Sequence, residues 1–390
     1  MDVRKTIKLA GMAGVVTGLI FINGCSVGNE PRIRLGSYAT ATPGTNFLDI
    51  NSLGRHSYGN FLFENNGIVY TCRGGHIDIA HVRINADNVR YLYYKVRKNL
   101  INGNRDFTFK LNVEPSTYFV RIYYPHGWSS KTRKEREAIS EELAMELSQY
   151  FTFTMTTWHE VLTWFGYKCM AFLPEQPSAF SWEDVYSNLV GIRIGAQALQ
   201  DQEHDYDKAV TIALRSELEN LGIQSSRTAR KASEKMRGIW YDGIFLVDMK
   251  ERNLDIGLDD GFVTPMLVPG VCEGTEALSY PVPTLEQFDK YGFKMRLEVE
   301  PREFEKGKVL KIVYPNGGYK RIQPAKHLGV IVGYIKNVIE KRGQRAENGG
   351  QITGDRGRKL HDNQDIRVSG KKGKTEQRTS NTEQSKQNVF

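Results

Sequence analysis

The sequence predicts an α+β fold: a helical middle section packed on antiparallel hairpins from both ends of the body, in a single large domain. Three observations predict it. Phe107, Phe109, Leu111 and Val113 alternate with polar residues, and after a turn at Glu114-Pro115-Ser116 the alternation resumes through Tyr118, Val120, Ile122 and Tyr124, as in a hairpin with one buried face. Between residues 135 and 237 apolar residues recur instead at helical spacing. Near the far end the first pattern returns: FTFKLNVEP with IYYPHG, from Phe107 to Gly127, is echoed by FKMRLEVEP with IVYPNG, from Phe293 to Gly317. The matched Val-Glu-Pro and Tyr-Pro-x-Gly ends point to an internal duplication or to two hairpins of one sheet.

In chain order, residues 1–25 carry Arg4, Lys5 and Lys8, then an apolar run from Leu9 to Ile22, then Asn23-Gly24-Cys25. The run is short for a membrane span, and a cysteine after a small residue is where a lipoprotein signal peptidase cuts. The stretch resembles a bacterial lipobox, with Asn23 in a slot that usually holds a smaller residue. It implies lipidation at Cys25, a membrane anchor through a diacylglyceryl cysteine, and a mature body of residues 26–340. By analogy with sorting in Gram-negative enteric bacteria, Ser26 in place of aspartate points to the outer membrane.

Residues 31–65 are rich in glycine, serine and asparagine and read as a surface loop, with His56 a solvated loop histidine. The densest chemistry follows in Ile68–Val96, IVYTCRGGHIDIAHVRINADNVRYLYYKV, which reads as a strand, a glycine turn at Gly74-Gly75 and a helix. Asp78 and His81 stand three apart on one helix face, and His76 lies on the turn. Glu135–Tyr150 carries an apolar stripe of Ile139, Leu143, Leu147 and Tyr150, and FTFTMTTWHEVLTWFGY reads as a buried helix bearing His159 and Glu160. In SWEDVYSNLVGIRIGAQAL, Ser181 and Asp184 have capping-box spacing, and Gly191 and Gly195 invite a close helix neighbour. Helices over Tyr206–Leu221 and Ser225–Arg237 end at Gly222 and Gly238; the second is basic and suits a solvated face or anionic lipid heads. Asp255, Asp259 and Asp260 lack EF-hand spacing and read as a turn. Beyond Lys341 hydrophobicity collapses, so residues 341–390 read as a disordered basic tail.

Charge narrows the function classes. The chain carries +8, of which the signal holds +2 and the tail +6, leaving the body neutral. A neutral body argues against nucleic acid as a partner, because phosphate binding needs an excess of basic charge. Cys72, Cys169 and Cys272 allow one disulfide of undetermined pairing and contain no CxxC motif.

Two constellations carry chemistry. Asp78, His81 and His159 offer oxygen and imidazole ligands for a divalent metal, zinc favoured, with Glu160 as the catalytic carboxylate. His159-Glu160 begins like a zincin motif, but Thr163 stands where its second histidine belongs. Alternatively Cys72 is a nucleophile at a strand end, with His81 or His159 as base. Each histidine taken singly is more often a hydrogen-bonded core group, and a strand-end cysteine more often a small buried hydrophobe. NGIVYTCRGGHIDIAHVR, TWHEVLTWFGY and SWEDVYSNLVG, following a lipobox, resemble the bacterial lipoproteins grouped as domain of unknown function 4056. The resemblance implies an envelope location and brings no activity with it. The expectation is a metal-dependent hydrolase acting on an unidentified envelope component, with a non-catalytic binding or scaffolding lipoprotein as the alternative.

Overall fold

The computed structural model describes residues 30–60, 62–112, 114–167, 178–244, 247–303 and 305–349. The lipobox with Cys25, Cys169, and residues 350–390 of the expected tail lie outside the described residues. Glycine turns close two short strands, β1 (Ile68–Thr71) and β2 (Gly75–Asp78), into an antiparallel hairpin pairing Tyr70 with His76. This corrects the strand-turn-helix reading. His76 lies in a strand, and the helix α1 (Ile79–Ile101) begins one residue after Asp78, whose carboxylate caps it by accepting the Ala80 amide. His76 is a core group. Its Nε2 lies 3.2 Å from the Ala229 carbonyl, its Nδ1 accepts from Trp182 Nε1, and burial lowers its pKa to about 4.

The first hairpin forms as expected from β3 (Asp106–Leu111) and β4 (Glu114–Tyr123). The segments expected on either side of residue 151 are one helix, α2 (Arg133–Trp164), started by a reciprocal box between Thr132 and Glu135. Three further helices follow, α3 (Asp184–Gln200), α4 (Tyr206–Asn220) and α5 (Ser226–Lys235). Two-residue strand pairs join β5 (Tyr241–Asp242) to β6 (Asp248–Met249) and β7 (Phe262–Val263) to β8 (Tyr280–Pro281). Asp255 accepts the Gly257 and Thr264 amides and Asp260 accepts that of Phe262, which is a turn.

The repeat near the C-terminal end is half a hairpin. After α6 (Glu286–Lys290), β9 (Lys294–Glu300) lies antiparallel beside β4 in the order β3-β4-β9, but the expected return arm is a helix, α7 (Lys306–Val313). KGKVLKIV suits that choice: Val309 is buried, and three lysines leave the polar side to solvent. The duplication reading therefore fails, while membership of one sheet holds for the strand. The last helix, α8 (Pro324–Gly349), continues beyond the expected tail boundary at Lys341. Among the described residues no helix is long and apolar enough to cross a membrane.

Helix α1 is the hub, packing on both α2 and α3, and the sheet joins the same core through Phe109, stacked on Tyr118 and tilted against Phe151 of α2. The contact with α3 depends on its glycines. A Cβ on Gly191 would stand 2.3 Å from the Val82 carbonyl oxygen, and one on Gly195 would stand 2.7 Å from Ala86 Cα. In an exposed helix Gly→Ala stabilises by about 1 kcal/mol. Here the obstacle is backbone, so Gly191→Ala is expected to destabilise by about 1–3 kcal/mol. Urea unfolding measures the sign, and a stabilised Gly191→Ala variant would show that the helices can part without loss.

Candidate functional site

Where α1 and α3 begin side by side, and with Glu160 contributed by α2, one imidazole joins a group of four buried carboxylates. His81 Nδ1 lies 3.2 Å from Asp78 Oδ2 and 3.4 Å from Asp184 Oδ1, ion-pair distances without hydrogen-bond alignment. Asp78, Glu160, Glu183 and Asp184 are buried, whereas the His81 side chain keeps 27% of its surface open. Its Cε1–Nε2 edge lies beside Gly36, where an added Cβ would approach both ring atoms within 3.2 Å.

Each carboxylate is held by backbone or hydroxyl donors. Asp78 Oδ2 accepts the Ser37 amide at 2.7 Å, and Glu183 Oε1 accepts that of Ala39 at 2.8 Å, so the segment leading into the fold forms one wall. Ser187 links the two helix starts: its hydroxyl accepts the Asp78 amide and donates to the Glu183 carbonyl. Glu160, projecting from α2, accepts the Phe180 amide, and Asp184 Oδ2 accepts that of Ser181. Phe180 holds φ of 56°, a conformation costly for a bulky residue, in the turn that aims these two amides at Glu160 and Asp184.

The electrostatics separate the groups. Burial alone would lower the His81 pKa, but Asp78, Asp184 and Glu160 outweigh it and raise it to about 10. Burial, reinforced by Glu160, raises Asp184 well above the usual carboxylate range, and burial raises Glu183 to about 7. At neutral pH the imidazole is thus protonated, and Asp184 holds its proton to higher pH than a free carboxyl does. An acid and its conjugate partners in one half-open cluster are what proton transfer to a substrate requires.

The expected residues are brought together only in part. Asp78 and His81 meet, and Glu160 is near enough for its charge to raise the His81 pKa. His159 instead lies 3.4 Å from Glu114 with its ring nearly perpendicular to that of Tyr167, and no group of three or more His, Cys, Asp or Glu side chains arranged to hold a metal occurs among the described residues. Cys72 is bonded to Cys272, with Cα atoms 5.4 Å apart, which removes the thiol that the nucleophile reading needs. Glu183 and Asp184 are the functional candidates that sequence reasoning missed. The available signal was two adjacent carboxylates in the apolar stretch FSWEDVYSNLVG, absorbed by the capping reading of Asp184.

His56 also departs from expectation. It is buried, its Nε2 is 3.0 Å from Asp87 Oδ1, and its Nδ1 is 3.3 Å from Glu64 Oε1. Arg34 completes this second cluster, meeting Glu64 through two 2.9 Å hydrogen bonds and Asp87 through one of 2.6 Å.

The profile of one protein family, described as a protein of unknown function (DUF4056), matches residues 23–250, more than half of the 390-residue chain. The chain belongs to the DUF4056 family. The DUF4056 match includes both charged clusters and α1 through α5, whereas Cys272 and β9 lie beyond it. No curated protein and no solved structure matches the chain.

Proposed function

We propose that this DUF4056 chain is an envelope hydrolase working by acid–base chemistry, with His81 as proton donor and Glu160 as the carboxylate that takes a proton from water. The observation that carries this reading is the half-open His81 ring set between Asp78 and Asp184, the one imidazole of the expected set that meets several carboxylates. Asp78 holds the imidazolium and keeps it charged; the Phe180 amide fixes Glu160. The basic start, apolar run and Cys25 support an envelope location, as does the Cys72–Cys272 bridge, since disulfides persist in oxidising compartments. No step of the proposal passes through a metal.

A second reading, a non-catalytic binding lipoprotein, is favoured by one observation: a cavity of about 850 Å³ beside Glu141, Glu146 and Arg193 does not include the His81 cluster.

The test incubates purified chain with isolated envelopes and follows released products by mass spectrometry, with elemental analysis of the same preparation. The parent is expected to release product, while His81→Ala and Glu160→Gln keep helical content and release none. Release by neither parent nor variants, with His81 titrating normally by NMR, would leave the binding reading. In the parent His81 is expected to titrate near pH 10, and Asp78→Asn is expected to bring it down toward its ordinary 6.5. Because this folded-state pKa is raised, the stability it contributes is present below pH 6.5 and is lost as pH rises through about 10.

A further inference from the structure

The segment Pro31–Gly36, PRIRLG, alternates in the opposite sense to an ordinary surface strand. Arg34 is turned fully inward onto Glu64 and Asp87 and Arg32 pairs with Glu64, while Ile33 and Leu35 are turned out at 45% and 60% exposure. Extended backbone places successive side chains on opposite sides, so burying the arginines is what presents the two aliphatic side chains to solvent. Glu64 ties this segment to a neighbouring turn whose Leu62 and Phe63 are also exposed, at 70% and 54%. Arg55 completes the patch, its guanidinium 4.9 Å from the centre of the Phe63 ring.

We propose that Ile33, Leu35, Leu62 and Phe63 form a membrane-docking surface that seats the body on the bilayer, with Arg55 at the level of anionic headgroups. The proposal rests on the anchor at Cys25. Four residues lie between Cys25 and Glu30, where the described chain starts, so the five steps along the chain reach at most about 18 Å. A diacyl anchor on so short a tether holds this part of the surface near the lipid. Exposed aliphatic and aromatic side chains beside a cation are the composition that enters a headgroup boundary. Docking would also bring the open edge of His81, which borders Gly36, toward the membrane surface, so that substrates held in or at the bilayer reach it first.

The test uses the full chain, produced with its native processing and reconstituted into phosphatidylethanolamine–phosphatidylglycerol vesicles with brominated acyl chains. All five native tryptophans (Trp128, Trp158, Trp164, Trp182 and Trp240) are buried, at 9% exposure or less. A tryptophan introduced as Phe63→Trp is therefore the one open to contact quenching. Its emission is expected to be largely lost in brominated vesicles and retained in unbrominated ones, while Tyr319→Trp, at a position 66% exposed in a different loop, keeps its emission in both. Leu35→Asp with Leu62→Asp is expected to restore the Phe63→Trp signal. Unquenched Phe63→Trp overturns the proposal, as does equal quenching at both positions. Shielding without bromine quenching, together with a doubled mass in detergent, assigns the patch to a second copy and overturns it too. The N-terminal mass of the same protein reports lipidation of Cys25 separately, so failure of the anchor and failure of the patch are distinguishable.

Discussion

Replacing Asp87 with alanine is expected to lower stability by about 3–5 kcal/mol, the loss seen when one partner of a buried ion pair is removed. Asp87 is fully buried on α1 and is shared: one oxygen accepts from Arg34 at 2.6 Å and the other faces His56 at 3.0 Å. Without it the Arg34 guanidinium, itself buried, keeps only Glu64 and the Ser57 carbonyl, and the imidazole loses its better-aligned partner. A cavity alone would cost less, so Asp87→Ala combined with Arg34→Met should recover part of the loss, because the second change removes the stranded charge. The pH profile supplies an independent reading. Burial disfavours ionised Glu64, yet His56 and Arg34 hold its carboxyl well below the usual range, so its contribution is present above pH 4.5 and is lost on acidification. Burial opposes protonated His56 as well, but Asp87 and Glu64 raise its pKa, so its contribution is complete below pH 6.5 and is lost as pH rises past its folded value. The stability from this cluster is therefore greatest between those limits. Thermal melts of Asp87→Ala should lose the alkaline decline assigned to His56. An Asp87→Ala variant that melts with the parent would show that Arg34 and His56 find water in the folded state.

The contrast between the two charged clusters explains what was legible in the sequence. Helices α1 to α5 announce themselves because each must bury one stripe, and Gly191 and Gly195 announce a close neighbour because four-residue spacing keeps both on one face. The Asp78–His81 pair was legible for the same reason, being local. Asp184 was not, since its approach to His81 depends on α1 and α3 starting side by side, a property of packing that no local spacing encodes. His56 was misread because loop composition normally implies solvent exposure, and only the inward turn of Arg34 makes this loop interior. The C-terminal repeat misled for a physical reason as well. IVYPNG after a strand fits a hairpin, but KGKVLKIV satisfies helical burial equally, and pairing of β9 with β4 left no need for another strand.

The second large effect concerns the bridge between Cys72 and Cys272, which spans 200 residues of sequence. Opening a loop of that length restores entropy to the unfolded chain worth about 5 kcal/mol in the chain-entropy treatment. The folded side of the balance is local. Cys272 sits in a segment that holds to the β1–β2 hairpin through the Leu278 amide on the Arg73 carbonyl at 2.9 Å and the Val268 amide on the Tyr70 hydroxyl at 3.1 Å. Gly75 lets that segment close in, since a Cβ there would stand 2.2 Å from the Met266 carbonyl oxygen. None of these contacts involves a sulfur atom, so the reduced protein is expected to fold but to unfold at a lower urea concentration. A Cys72→Ala, Cys272→Ala variant should match it. The same comparison tests the discarded nucleophile: product release by the double variant, set against loss of release in His81→Ala, places the chemistry at the imidazole and leaves the sulfur a structural part. An unchanged urea midpoint on reduction would mean that opening the bond returns no net entropy to the unfolded chain, and the stabilising role of the bridge would fall.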